Sequence, residues 1–249
     1  MLPRAFLDRP VAHRALHDAA AGRAENTIAA IDAAIAAGYG IEIDLQLSAD
    51  GAAMVFHDYD LGRLTAATGP VRQRTAADLS GLPLRDGGGP IPTLKQVLDR
   101  VAGRVPLLIE IKDQDGAMGP DVGPLERATV AALAGYDGPL ALMAFNPHSV
   151  AALADLAPAV PRGLTTCAWT AEHWPTVPAA TRDRLRGIPD FDAVGACFVS
   201  HRWTDLANPA VAALKARGVP ILCWTIRSPE EEARARRVAG GITFEGYTA

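Results

Sequence analysis

Long apolar runs are missing from this chain. No stretch approaches the roughly 20 residues that a membrane-spanning helix needs, and the opening segment MLPRAFLDRPVAHR is interrupted by Arg4, Asp8 and Arg9 before an apolar core of signal-peptide length can form. Stable membrane association is therefore not expected, and the expected location is the cytoplasm. Cysteine is scarce: Cys167, Cys197 and Cys223 are far apart, odd in number and without Cys-x-x-Cys spacing. That pattern excludes a disulfide framework and reads as small apolar side chains in a reducing compartment. No dense Lys/Arg cluster occurs and the net charge is −4, so nucleic acid is not an expected partner. The basic run Arg234 to Arg237 follows the acidic run Glu230 to Glu232 and reads as a solvated helix face. No Gly-rich phosphate loop follows the first candidate strand, which argues against a doubly wound nucleotide-binding sheet. No linker or short repeat divides the chain, so residues 1–249 read as one domain.

What the chain does have is a regular alternation of short apolar runs and helical periodicity. Strands are expected at 10–14, 41–47, 105–111, 139–145, 162–167, 193–199, 220–226 and 241–244. Most are continuously apolar, as buried parallel strands are. Helices fall between them. Asn26 and Thr27 are good N-cap types for a helix carrying Ile28, Ile31 and Ile35 at helical spacing. Thr93 caps another with Leu94, Val97, Leu98 and Val101 on one face. Helices are also expected over 125–134, up to Leu156 and over 209–217, with a broken one at 171–185 around Pro175 and Pro178 and a last one opening at Ser228-Pro229. Eight strands with helices between them, in a chain near 250 residues, give an α/β fold of the (β/α)8 or TIM barrel type. The strand at 41–47 is followed by an Asp50-Gly51 turn and a short return strand at 52–56. Residues 58–90 then run with little periodicity, too long for a plain connection, and read as a small capping insertion near the barrel mouth.

In such a barrel, chemistry collects at the C-terminal ends of the strands. Glu42 and Asp44 lie two apart on the second strand, so both point to one side. Glu110 ends the next strand, beside Lys112. Three carboxylates form an all-oxygen donor set, which suits Mg²⁺ or Ca²⁺ better than Zn²⁺. His13 ends the first strand and His57 ends the hairpin. With the cation held by carboxylates, the two histidines are free to serve as acid and base for a displacement at phosphorus. Arg14 and Lys112 are cations placed to bind a phosphate. Phe145 and Trp224 end later strands and serve either the core or the pocket. His17, His148, His173 and His201 show no partner pattern.

The motifs AHR at 12–14, ENT at 25–27, IEIDLQLSADG at 41–51, His57-Asp58 and EIK at 110–112 together resemble the glycerophosphodiester phosphodiesterase family, most closely its short cytosolic bacterial members. Arg63, Thr65, Ile91-Pro92-Thr93-Leu94, Phe145-Asn146 and Trp224-Thr225 continue the likeness along nearly the whole chain. The resemblance implies a TIM barrel and one divalent cation, Mg²⁺ or Ca²⁺, on Glu42, Asp44 and Glu110. It implies His13 and His57 as the acid/base pair, and phosphate contacts from Arg14 and Lys112. Phe145 and Trp224 would flank the glycerol or alcohol pocket. The implied reaction cleaves a small-molecule glycerophosphodiester into sn-glycerol 3-phosphate and an alcohol, by attack of water or of a glycerol hydroxyl. Two other readings stand beside it: a lysophospholipase D-like enzyme acting on a larger lipid alcohol, and a catalytically silent barrel that binds a phosphorylated ligand. Some positions depart from the family pattern. Ala15 stands where Gly is usual, Ala24 where Pro is usual, and Thr243-Phe244-Glu245 where a Thr-Asp pair is usual.

Overall fold

The computed structural model describes residues 1–249. Nine strands belong to one sheet. They are β1 (Val11–Ala12), β2 (Gly40–Leu47), β3 (Ala53–Val55), β4 (Leu107–Ile111), β5 (Leu140–Ala144), β6 (Arg162–Thr166), β7 (Phe198–Arg202), β8 (Ile221–Ile226) and β9 (Gly241–Phe244). All but β3 run parallel, and β1 pairs with both β2 and β9, which closes an eight-stranded barrel. The helices are α1 (Ala5–Asp8), α2 (Ile28–Ala37), α3 (Ala76–Ser80), α4 (Leu94–Val101), α5 (Pro124–Ala132), α6 (Pro147–Leu156), α7 (Ala179–Leu185), α8 (Pro209–Ala216) and α9 (Pro229–Ala235). None is long and apolar enough to cross a membrane.

The alternation of side chains along each strand divides the apolar residues into two cores. Ile41, Ile43 and Leu45 of β2 pack outward in a layer with Ile31 of α2 and Val97 of α4. Val11, Leu108, Ala141, Met143, Phe198 and Leu222 belong to an inner cluster with Leu2 and with Phe6 of α1. The short α1 helix therefore seals the end where the strands begin. Gly163 is needed there, because a Cβ at that position would stand 2.6 Å from the Phe198 ring. The inner positions of β2 at the opposite end carry Glu42, Asp44 and Gln46, all buried.

β1 is shorter than its sequence suggests, and the reason is the hairpin. The backbone N–H of Ala15 donates to Glu42 O at 2.9 Å, and that of Phe56 donates to Asp44 O at 2.9 Å. The return strand β3 thus takes over the edge of β2 where β1 departs. Residues 58–90 follow from it with α3 and two 3₁₀ turns. Leu61, Leu64, Val71, Leu79 and Leu84 of this segment pack with Ala24, Met54, Phe56 and Ile91 in a small core of their own.

Two expected elements are displaced. The strand expected at 193–199 begins only at Phe198 and runs to Arg202. Residues 190–196 form turns instead, with Val194 N–H bonded to Asp190 O and Ala196 N–H to Phe191 O. Phe191 and Val194 are buried as turn residues, and apolar periodicity does not separate that from a buried strand. The broken helix expected at 171–185 is regular only over α7, after Pro178. Proline cannot donate to the preceding turn, which limits the helix to the stretch beyond it.

Candidate active site

The inner face of β2 and the end of β4 bring Glu42, Asp44 and Glu110 together. All three are buried, and one oxygen of each lies within 4.8 Å of the others. Parallel pairing sets Asp44 directly beside Glu110. Asn26 brackets Asp44: its Nδ2 donates to Oδ2 at 2.9 Å and its Oδ1 accepts the Asp44 N–H at 3.3 Å. This is its role in place of the expected cap, which Thr27 alone provides by accepting from Ala30 N–H. The backbone N–H of Arg14 donates to Glu42 Oε2 at 2.8 Å. Lys112 reaches in with Nζ 2.7 Å from Asp44 Oδ1 and in contact with Glu110.

The electrostatics follow from this crowding. Burial, then the charges of Asp44 and Glu110, push the Glu42 carboxyl well above the usual range. Burial also pushes Asp44 upward, but Lys112, His57, Arg14 and His13 outweigh it and hold Asp44 well below the usual range. Burial opposes the charge of Lys112, yet Asp44 and Glu110 keep its ammonium above the ordinary lysine range. Three carboxylates converge here; Lys112 pairs with Asp44 and Glu110, Arg14 stands 3.6 Å from Asp44, and Glu42 has no ion pair of its own. That all-oxygen donor set fits a hard divalent ion.

Each histidine is paired with a carboxylate. His13 Nδ1 lies 2.5 Å from Glu245 Oε2. His57 Nδ1 lies 2.6 Å from Asp58 Oδ1. Each carboxylate is held in turn by an arginine. Arg227 Nε donates to Glu245 Oε1 at 2.8 Å, and Arg63 Nη2 donates to Asp58 Oδ1 at 3.0 Å. Arg63 also spans to Glu25, bonding both its oxygens at 2.7 and 2.8 Å. Glu25 in turn accepts from Arg14 Nη1 at 2.9 Å, so Glu25 ties Arg63 of the 58–90 segment to the barrel. The chain makes a sharp turn after β1 to set this up. Arg14, Ala15 and Asn26 all have left-handed backbones, with φ of 51°, 64° and 59°. Glycine fits such a conformation without a Cβ clash, and Ala15 stands where the family pattern has Gly.

His13, Arg14, Glu42, Asp44, His57, Glu110, Lys112, Phe145 and Trp224 all line one cavity of about 640 Å³. The residues expected to bind the cation, the phosphate and the organic groups, and the two expected acid/base histidines, therefore open into the same space. The far wall is apolar. Phe145 meets Trp224 and Trp174 with ring centroids 5.5 and 4.8 Å apart, and Met118 packs in the same cluster. Arg202, Arg227 and His173 also reach the cavity. Sequence reasoning did not assign these, nor the role of Glu245. The signal for Glu245 lies in the closed ring: Ala12 pairs with Phe244, so the residues after them, His13 and Glu245, emerge side by side. His201 is buried away from this chemistry. Its ring nitrogens meet Thr166 Oγ1 at 2.7 Å and Asp205 Oδ2 at 3.0 Å, which satisfies both.

Residues 13–242 match the model of the glycerophosphoryl diester phosphodiesterase family. The chain belongs to that family. Its activity is accordingly that of a phosphoric diester hydrolase acting on glycerophosphodiesters. The Bacillus subtilis protein YhdW is 29% identical over 239 residues, covering 91% of this chain and 92% of that one. A glycerophosphodiester phosphodiesterase of Caldanaerobacter subterraneus subsp. tengcongensis is 27% identical over 236 residues, covering 90% of each. Among solved structures, a phosphodiesterase of Oleispira antarctica in complex with the product sn-glycerol-3-phosphate superposes with a TM-score of 0.77. It is 24% identical and the match covers 97% of this chain and 94% of that one. At that identity the superposition establishes the shared barrel fold.

Proposed function

We propose that this family member converts a glycerophosphodiester to sn-glycerol 3-phosphate and a free alcohol, with a divalent cation on Glu42, Asp44 and Glu110 and with proton transfer by His13 and His57. The observation that carries the reading is the convergence of two carboxylate-paired histidines and a buried three-carboxylate cluster on one cavity. The product bound to the Oleispira antarctica relative supports the glycerol 3-phosphate half. Mg²⁺ or Ca²⁺ held there would neutralise charge on the non-bridging phosphate oxygens.

The protein's own groups do the rest. Arg14 and Lys112 hold the phosphate electrostatically, which is most of what transfer at phosphorus demands. One imidazole takes the proton of the attacking hydroxyl, from water or from the glycerol itself, as its oxygen bonds to phosphorus. The other enters protonated and delivers its proton to the departing alcohol oxygen as the bond between that oxygen and phosphorus breaks. Where the glycerol hydroxyl attacks, the cyclic phosphate so formed is opened by water with the two roles reversed, which gives sn-glycerol 3-phosphate. Phe145 and Trp224 form the wall against which the organic groups lie. The breadth of the apolar wall, with Met118 and Trp174 beside them, favours one second reading, a larger lipid alcohol as leaving group.

The test uses purified protein stripped with a chelator. Glycerol 3-phosphate release from glycerophosphocholine should stop, and should return with Mg²⁺ or Ca²⁺. Faster turnover of lysophosphatidylcholine would establish the second reading. Absence of turnover with either substrate and either ion would leave only a ligand-binding barrel.

A further inference from the structure

We propose that Glu245 is a positioning residue of the reaction, holding His13 in the tautomer that presents Nε2 to the substrate. This rests on the role given to His13 above. The geometry carries it. Glu245 Oε2 accepts at 2.5 Å from Nδ1 of His13, and an ionised carboxylate can only accept. The proton is thereby assigned to Nδ1. Nε2 has no partner within the protein, and His13 lines the cavity. A base needs its lone pair on the atom that faces the substrate, and this contact puts it there.

The carboxylate is itself fixed rather than merely nearby. Its other oxygen accepts from Arg227 at 2.8 Å. Its backbone N–H donates to Ile226 O at 3.0 Å, and His13 N–H donates to Phe244 O at 2.8 Å. Both members of the dyad are thus mounted on barrel hydrogen bonds, not on a loop. The charge also has work to do when His13 is protonated. Around the ring stand Arg14, Asp44, Glu245 and, 3.5 Å from the same Oε2, His17. Burial disfavours the imidazolium, and Glu245 is the one carboxylate bonded directly to it.

A bound ion shared by His13, His17 and Glu245 is the competing account of this cluster. Two ligands at about 2.0–2.1 Å from a tetrahedral ion stand roughly 3.3 Å apart. The 2.5 Å contact is instead that of a direct hydrogen bond from Nδ1 to the carboxylate.

The experiment compares Glu245→Gln and Glu245→Asp with the native protein at saturating divalent cation. Glutamine should lower kcat by about 10²-fold with KM little changed, and aspartate should recover most of the loss. In a His13→Ala background, Glu245→Gln should cost nothing further, because its effect runs through the ring. Histidine-selective ¹⁵N NMR reads the tautomer without turnover: Nδ1–H in the native protein, a mixture in Glu245→Gln. Full kcat in Glu245→Gln, an added loss in the His13→Ala background, or an unchanged tautomer would each overturn the proposal. Full activity in His13→Ala would instead overturn the acid/base reading on which it rests.

Discussion

His13 stands on the barrel wall, and its carboxylate partner comes from β9, at the other end of the chain. His57 stands where the hairpin gives way to the 58–90 segment, and its partner is the next residue, Asp58. The two dyads have the same parts: imidazole Nδ1, carboxylate, arginine. Their mountings differ. The His13 side chain is 14% exposed and the His57 side chain 30%. Backbone ladders of three strands fix the first. The second is fixed by side chains: Gln46 Nε2 donates to His57 O at 3.0 Å, and Arg63 clamps Asp58 to Glu25. A wall-mounted group is set by fold topology. An arm-mounted group is set by a few ion pairs and is the one that local substitutions can move.

The largest effect is expected from removing the rings themselves. His13→Ala and His57→Ala should each lower kcat by about 10²–10⁴-fold, the usual range for an acid or base. Their stabilities should part. His13→Ala leaves Glu245 Oε2 without its hydrogen bond, because Arg227 bonds only Oε1, and should lower Tm, whereas His57→Ala leaves both Asp58 oxygens bonded to Arg63 and should leave Tm nearly unchanged. Steady-state kinetics with thermal melts would read both. A His57→Ala protein with full turnover would end the symmetry of roles, and equal losses of Tm would end the difference in mounting.

The arginines come next. Arg63 touches Asp58 and Glu25 together, and through Glu25 it reaches Arg14. Arg63→Ala should cost roughly 10–100-fold in kcat, as removal of groups that orient site residues does. Arg227 is mostly exposed and serves one carboxylate that the barrel already holds. Exposed ion pairs contribute little, about 0–1 kcal/mol, so Arg227→Ala should change kcat by a few-fold at most. The reverse order would show that the wall dyad depends on its arginine and the arm dyad does not.

The same contrast decides what could be read from the sequence. Glu42 with Asp44, and His57 with Asp58, are neighbours along the chain, and a strand period of two is enough to place them. Glu110 was legible once the strands were counted, because parallel pairing sets it beside Asp44. Glu245 was not, since its meaning depends on ring closure and on the register of Ala12 against Phe244. The same limit explains β7. Buried turn residues such as Phe191 and Val194 have the apolar character of a strand, and only the tertiary turn hydrogen bonds separate them. Asn26 reads as a helix cap because its residue type favours caps. Its side chain goes instead to Asp44, which the sequence places 18 positions away.

The smallest effect concerns stability against pH, and it sharpens the contrast on the wall side. Burial lowers the folded-state pKa of His13, with Arg14 adding to it and Glu245 opposing. The folded state therefore binds a proton less readily than the unfolded chain, whose histidine titrates near 6.5. Stability rises with pH wherever the unfolded state holds more protons. The contribution from the neutral ring is present above about pH 6.5 and is lost as pH falls through that value toward the lower folded pKa. Below the folded pKa the loss is complete and the slope ends. Denaturant melts between pH 8 and 5 should show this loss in the native protein and a shallower fall in His13→Gln. Glu245 and Asp58 act lower down. Burial raises both, but the hydrogen bond from His13 with the nearby His17 ring on Glu245, and the hydrogen bonds from His57 and Arg63 on Asp58, hold both below the usual carboxylate range. Their stabilisation is present above the unfolded value of about 4 and is lost only as pH falls beneath it. The His13 component is therefore separable in the scan, and an identical slope in His13→Gln would mean that the wall does not hold the ring neutral.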